Sequence, residues 1–142
     1  MKYFFITLFS YLSSIILLGQ ILPSEQTKPE IYEGHIVYWH ADTMPLFKGG
    51  EIALNKFIQK NIPDSLRKAG YKVNLVIIID DQGNVKNPQC IISTGDSYRI
   101  EPYKTEALRI IQKMPKWIPG SYKGNNVYVK RPLIIDFRPL PR

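Results

Sequence analysis

The chain has 142 residues, of which 44% are hydrophobic and 22% are charged. This length supports one domain with a modest core, and this composition excludes a disordered or fibrous protein. The net charge of +7 suits an acidic partner, an anionic membrane surface or nucleic acid, and it equally suits a solvated basic surface.

The N-terminus predicts export from the cytoplasm. Lys2 precedes an apolar run over residues 3–18, and a small residue stands before Gln20. This arrangement is typical of a secretory signal peptide, here residues 1–19. Extended through Leu22, the run approaches the ~20 residues that span a bilayer, so an uncleaved membrane anchor is the alternative. Both readings predict that the rest of the chain lies outside the cytoplasm, and we expect a periplasmic protein.

Residues 20–43 predict a linker or N-terminal arm. Their first half is polar, contains two prolines and shows no periodicity. The stretch HIVYWH at residues 35–40 is apolar and aromatic enough for a short strand, or for an extended arm that lies on the domain. The turn-forming stretch MPLFKGG follows, and we place the start of the domain, residues 44–142, at its first residue.

Two helices are predicted in this domain. After Glu51, apolar residues recur at three- and four-residue steps (Leu54, Phe57, Ile58), and Pro63 ends the pattern. A second helix is expected over residues 103–114, with Leu108 and Ile111 facing inward and Pro115 preventing its continuation.

Three strands are predicted beside the helices. Residues 71–80 alternate, with apolar side chains on both faces, which indicates a central strand. Residues 81–84 have turn chemistry, and residues 85–94 form the return strand, in which Pro88 indicates a bulge or an edge. The last strand covers residues 126–137. The expected fold class is α+β, with a three-stranded antiparallel sheet of order 2-1-3 and two helices packed on one face.

The connection MPKWIPG, residues 114–120, raises the choice between a binding site and a structural corner. Pro115 stops the second helix, and the following Pro-Gly pair turns the chain towards the last strand. We expect the ring of Trp117 to lie over the core, where a large aromatic side chain contributes most by burial.

Catalytic chemistry is not indicated. No nucleotide-binding, zinc-protease, hydrolase or Cys-x-x-Cys motif occurs. His35 and His40 are the two histidines, and their spacing in a strand disfavours a shared metal ion. Asp80 and Asp81 fit a hairpin turn better than a catalytic dyad. Cys90 is the single cysteine, so no intrachain disulfide can form. The sequence predicts a non-enzymatic protein without a cofactor.

Nucleic-acid binding is also not indicated. The basic residues are spread along the chain, without a compact cluster interleaved with aromatic residues. A small sheet, in contrast, must end in an edge strand with unpaired backbone groups, which either need protection or accept an extended peptide. Lys130 and Arg131, in the middle of the last strand, suit both edge protection and an acidic peptide.

Residues 44–137 resemble the TonB C-terminal domain, in the form common in Bacteroidota. The resemblance is carried by a series of segments in one order: MPLFKGGEIALNKFI, IPDSLRKAG, DDQGNV, EALRIIQKMPKWIPG and NVYVKRPLIIDFRP. Three positions depart from the family pattern, namely Lys48, Ile62 and Val73. The short segment between residues 22 and 43 also lacks the long proline-rich arm of a full energy transducer.

The resemblance implies a periplasmic protein-binding module that adds an extended TonB-box peptide of an outer-membrane transporter, or of another envelope protein, to a sheet edge in support of energy-dependent transport. The residues implied for peptide binding are Asn126, Val127, Tyr128, Val129, Lys130, Arg131 and Leu133, with Asn61, Ile62 and Pro63 nearby.

Two alternatives stay open beside this function. The first is a structural or oligomerising envelope domain, whose last strand pairs with its own copy to form a homodimer. The second is an energy transducer with a short arm, which would remain anchored in the inner membrane through residues 1–19.

Overall fold

The computed structural model describes residues 29–67, 70–91 and 97–138. Its elements in chain order are β1 (Glu30–Tyr32), β2 (His35–Tyr38), α1 (Gly50–Asn61), a short 3₁₀ helix (Asp64–Leu66), β3 (Lys72–Ile79), β4 (Val85–Ile91), α2 (Ser97–Gln112), β5 (Gly120–Tyr122) and β6 (Asn125–Asp136). The predicted signal peptide or anchor at residues 1–19 lies outside the described residues. Within the described ranges, no helix is long and apolar enough to span a membrane.

Both predicted helices are present. In α1, Leu54 and Ile58 are buried one turn apart, and the chain becomes extended before Pro63. Arg67 and Arg109 donate to carbonyl oxygens in the last turn of α1 at 2.5 and 2.8 Å, which satisfies acceptors that a helix end leaves free. The second helix starts six residues earlier than predicted, because it continues through a proline in its second turn at the cost of one backbone hydrogen bond.

The predicted three-stranded antiparallel sheet is wrong. The sheet has six strands in the order β1-β2-β6-β3-β4, with β5 also paired to β6, and it curls into a half-barrel. It is mixed, because β2 runs parallel to β6. The predicted order 2-1-3 describes the neighbours β4, β3 and β6, which form only part of this larger sheet. The overall class is α+β.

The strands that the prediction lacks are short, and their turns carry weak signals. β1, β2 and β5 have three or four residues each. The turn residues Glu33 and Gly34, like Lys123 and Gly124, have positive φ angles, as a two-residue hairpin turn requires. Asn-Gly and Asp-Gly are the usual sequence signals of such turns, so Glu-Gly and Lys-Gly did not mark these hairpins.

The main core lies between the two helices and one face of the sheet. Alternate residues of β3, from Val73 to Ile79, pack against Leu54 and Ile58 of α1 and against the buried face of α2. Trp117 is 2% exposed, and its ring meets that of Phe47 edge to face at 5.4 Å between centroids. The expectation that Trp117 covers the core is confirmed.

A second and much smaller apolar cluster lies on the opposite face of the sheet. It consists of Val37, Ile78 and Tyr128, with Tyr32 packed alongside, and we call it the hairpin cluster. The N-terminal hairpin, which we define as residues 30–38, extends the sheet beyond β6 and contributes Val37 to this cluster. One face of the sheet is therefore covered by helices, whereas the hairpin cluster on the other face is formed by side chains of neighbouring strands.

Candidate peptide-binding edge

The backbone of β6 faces two different neighbours in alternation. The N–H of Phe137 donates to the carbonyl oxygen of Tyr71 at 2.9 Å, so Phe137 faces the chain that leads into β3. In an antiparallel ladder, the N–H and C=O of one residue point to the same side, and the next residue points to the other. With the observed register, Arg131 and Leu133 therefore face β3, whereas Lys130, Pro132, Ile134 and Asp136 face the opposite edge.

The first part of this opposite edge is occupied by β2. Val37 lies opposite Tyr128, and Tyr38 lies opposite Val129, in a parallel arrangement. The last paired position is Val129, and because Val129 faces β3, the parallel ladder places the carbonyl oxygen of Tyr38 opposite the N–H of Lys130. Beyond it, no other strand of the described residues pairs with β6 on this side.

The far end of the edge is occupied by a side chain of α1. Nε2 of Gln59 donates to the carbonyl oxygen of Asp136 at 3.2 Å, and Glu51 contacts Arg131 in an ion pair. Because Glu51 and Gln59 belong to one stripe of the helix, Asn55 between them lies on the side of α1 that follows β6. A stretch of β6, residues 130–134, thus lies between β2 and Gln59 with α1 alongside, and we call it the open edge.

The two basic residues of the open edge are already paired within the chain. Nζ of Lys130 lies 2.6 Å from Oε2 of Glu30 and 4.8 Å from the centroid of the Trp39 ring. Arg131 pairs with Glu51. An acidic peptide would therefore compete with carboxylates of this protein, and the two pairs fit the reading that these charges protect the edge.

Pro132 and Ile134 determine which backbone donors and acceptors the open edge offers to an added strand. Pro132 has no N–H, so the edge lacks one donor in its middle, which is where proline is tolerated in a sheet. Ile134 offers both backbone groups, and its side chain is 59% exposed. The edge can thus form a backbone ladder with an added strand, but a short one.

The other implied residues of β6 lie in different surroundings. Asn126 and Val127 pair with β5, and the side chain of Asn126 donates to the carbonyl oxygen of Asp81. Tyr128 is buried and stacks on His35, with 4.3 Å between the ring centroids. Val129 and Leu133 are buried as well. The structure brings Lys130 and Arg131 to the open edge, and places the residues before them beside β2 or β5.

Asn61, Ile62 and Pro63 lie at the opposite end of β6 from Asn126. The contact of Gln59 with Asp136 places the end of α1 beside the end of β6. The side chain of Ile62 is buried in the main core, and Asn61 uses its amide to cap the carbonyl oxygen of Phe57 at 2.8 Å. These residues support the end of α1 and offer the open edge little free polar surface.

Four neighbours of the open edge are not predicted from the sequence: Glu30, Trp39, Glu51 and Gln59. Glu30 and Trp39 lie in the segment predicted as a linker or arm, and the pattern of α1 predicts only its apolar stripe. The alternation in β6 was a signal that could have placed Pro132 and Ile134 on the free side.

The carboxylate of Asp136, at the end of β6, is paired with a residue two positions later in the chain. Arg138 donates from its backbone N–H and its guanidinium to the carboxylate of Asp136, at 2.5–3.0 Å. These hydrogen bonds hold the pKa of Asp136 below its usual range.

The pKa of Cys90 is raised by burial, so its thiol is not activated as a nucleophile.

A separate cleft of about 300 Å³ lies at the other edge of the sheet, beside β4 and the end of α2. It is lined by Asn84, Val85, Pro88, Ile111, Gln112, Met114, Pro115 and Lys116. The connection predicted as a structural corner thus also forms one wall of this cleft. Among the residues that the structure describes, no group of three or more His, Cys, Asp or Glu side chains is placed to hold a metal ion.

A scan against protein-family models, a search of curated proteins and a search of solved structures each found no match to this chain.

Proposed function

We propose that this protein is a binding module of the bacterial envelope that accepts an extended peptide by strand addition at the open edge of β6. The observation that carries the proposal is the stretch of unpaired strand between β2 and Gln59, with α1 along its side. Unpaired N–H and C=O groups on a fixed strand are the recognition element of strand addition.

The partner is proposed from the resemblance to TonB C-terminal domains. It is the extended, acidic segment of an outer-membrane transporter or of another envelope protein, bound in support of energy-dependent transport. The net charge of +7 favours association with such a segment through long-range attraction, and this attraction weakens with added salt. The proposal includes a periplasmic location, and N-terminal sequencing that finds Gln20 as the first residue of the mature protein would support it.

The experiment is a titration of the isotope-labelled protein with acidic extended peptides, followed by amide chemical shifts. We expect the largest changes at Lys130, Arg131 and Ile134, because their backbone lies in or beside the added ladder. The matched variants are Ile134→Pro and Ile134→Ala. The first removes the outward N–H without removing a hydrogen bond to β3, whereas the second removes only side-chain surface.

Binding that is lost in Ile134→Pro and retained in Ile134→Ala supports strand addition. Equal binding by both variants would refute it, as would the absence of any shift in residues 130–134. Sedimentation at increasing protein concentration tests the alternative, in which a second copy uses the same edge. A dimer that Ile134→Pro dissociates, without any peptide binding by the wild type, would favour the oligomerising domain.

A further inference from the structure

We propose that the N-terminal hairpin is an exchangeable edge of the sheet, and that the edge of β6 occupied by β2 is a further part of the peptide site, fitted to a partner strand with an aliphatic residue. This inference rests on the proposed function. A partner strand would displace β2, pair with β6 at Tyr128, and seat its aliphatic side chain on Ile78 and Tyr128, where Val37 lies now.

The first argument is the size of the open edge. Its outward residues are Lys130, Pro132 and Ile134; the parallel ladder assigns the N–H of Lys130 to Tyr38, and Pro132 has no N–H to donate. The carbonyl oxygen of Asp136, the next outward residue, already accepts from Gln59. Displacement of β2 would return the backbone groups of Tyr128 to the edge, so a longer ladder is available only when the hairpin leaves.

The second argument is the limited contact between the hairpin and the domain. β2 pairs with β6 at two positions, and Val37 is the one residue of β1 and β2 that is fully buried. The hairpin side chains Ile31 and Ile36 are 65% and 48% exposed. Of its two ion pairs, Glu33 with Lys86 is exposed and contributes little stability, whereas in Glu30 with Lys130 the lysine side chain is mostly buried.

The third argument is that a segment outside any strand connects the hairpin to the domain. The chain is next hydrogen-bonded to the domain at Asp42, whose Oδ2 accepts from the N–H of Lys123 at 2.7 Å. Thr43 then exchanges two backbone hydrogen bonds with Ser121, at 2.9 and 3.1 Å. Between Tyr38 and Asp42, residues 39–41 belong to no strand, so the hairpin can swing away while the domain keeps its pairing.

The test locks the hairpin with a reversible disulfide. Val37 and Tyr128 are direct partners on neighbouring strands and belong to one cluster, and such neighbours lie within the distance range of a disulfide. The variant is Val37→Cys/Tyr128→Cys in a Cys90→Ser background of the full chain. When it is oxidised, the acidic peptide should bind at least about tenfold more weakly than when the same protein is reduced, since the competent fraction falls.

The matched control is Ile31→Cys/Ile36→Cys in the same background. Ile31 and Ile36 are partners within the hairpin, so this disulfide closes the hairpin on itself and leaves it free to move away from β6. We expect equal peptide affinity in both redox states. A change of equal size in the control would show that the disulfide acts by another route and would overturn the proposal.

The outcomes separate this inference from the proposed function. Peptide binding that is equal in the oxidised and reduced Val37→Cys/Tyr128→Cys protein overturns the exchange and leaves strand addition at the open edge standing. If the acidic peptide binds in neither state, a blocked peptide with the sequence HIVYW, residues 35–39, replaces it as the probe and is titrated onto the Ile31→Cys/Ile36→Cys control, which keeps Tyr128. Its binding there supports the exchange without the proposed partner, and its failure to bind overturns the exchange.

Discussion

The main core and the hairpin cluster share two strands, but they differ in what covers them. β3 and β6 send alternate side chains to both faces, so the same backbone supports both clusters. On one face two helices and Trp117 bury many large side chains, whereas on the other face the small cluster is formed only by side chains of neighbouring strands. A layer of helices packed on the sheet, and not the sheet itself, therefore accounts for the larger core.

The largest effect is expected where the main core is anchored. Trp117→Ala should lower the free energy of unfolding by about 3–5 kcal/mol, because a fully buried aromatic side chain is replaced by a cavity. Trp117→Phe should lose clearly less, since it keeps a buried ring and the indole N–H has no hydrogen-bond partner within the described residues. Denaturant unfolding measures both variants. An unchanged midpoint for Trp117→Ala would contradict the structural role.

The second comparison uses two turn glycines with nearly equal, positive φ angles. Gly83 has φ +81 and Gly34 has φ +82, so alanine carries a similar conformational cost at both. A Cβ at Gly83 would lie 2.1 Å from the carbonyl oxygen of Trp117, whereas one at Gly34 would meet no atom within 4 Å. Gly83→Ala should cost about 2–4 kcal/mol and Gly34→Ala at most about 1–2 kcal/mol. Thermal unfolding checks the order, and a reversed order would refute the contact at Gly83.

The third comparison places one substitution on each face. Val73→Ala and Val37→Ala remove the same two methyl groups, and each should cost about 1–2 kcal/mol of local stability. Because Val73 is in the main core, its loss should raise amide exchange throughout the domain. The loss of Val37 should raise exchange mainly in residues 30–38 and at Tyr128. If both variants raised amide exchange equally across the domain, the hairpin would not open independently of the main core.

The smallest effect is expected at Asp136, at the end of β6 away from the hairpin. The Arg138 hydrogen bonds lower the pKa of Asp136 in the folded state, so this carboxylate stabilises the protein above its unfolded pKa of about 3.9. That contribution is lost as the pH falls through the lower folded pKa. Asp136→Asn should therefore cost under about 1 kcal/mol at pH 7, because the pair is partly exposed, and less as the pH falls through the folded pKa. A cost that grows on acidification would contradict this sign.

The sequence predicted the parts of the fold that repeat over several residues. The stripe of Leu54 and Ile58 and the alternation of residues 71–80 each extend over two or more periods, and both elements form where predicted. The burial of Trp117 was also predictable, because two prolines and a glycine around a large aromatic residue leave few other roles for it.

The missing part of the fold depends on contacts between segments far apart in the chain. β1 and β2 are too short to show a period, and their strand conformation is supported by pairing with β6, about ninety residues later. The candidate site was likewise predictable where it depends on a local pattern and not where it depends on contacts between distant segments. Lys130 and Arg131 were found from the strand pattern, but Glu30, Trp39 and Gln59 become neighbours of the edge only in the folded chain.

Pro132 also restricts how β6 can slide. Its position on the outward side of the strand leaves every donor towards β3 in place. A slip of one residue would turn the proline towards β3, remove one ladder hydrogen bond and move Leu133 and Ile135 from the core face to the outer face. The residue that shortens the open edge for a partner therefore also excludes the nearest misregistered fold, so substituting it to lengthen the edge would remove a safeguard against misfolding.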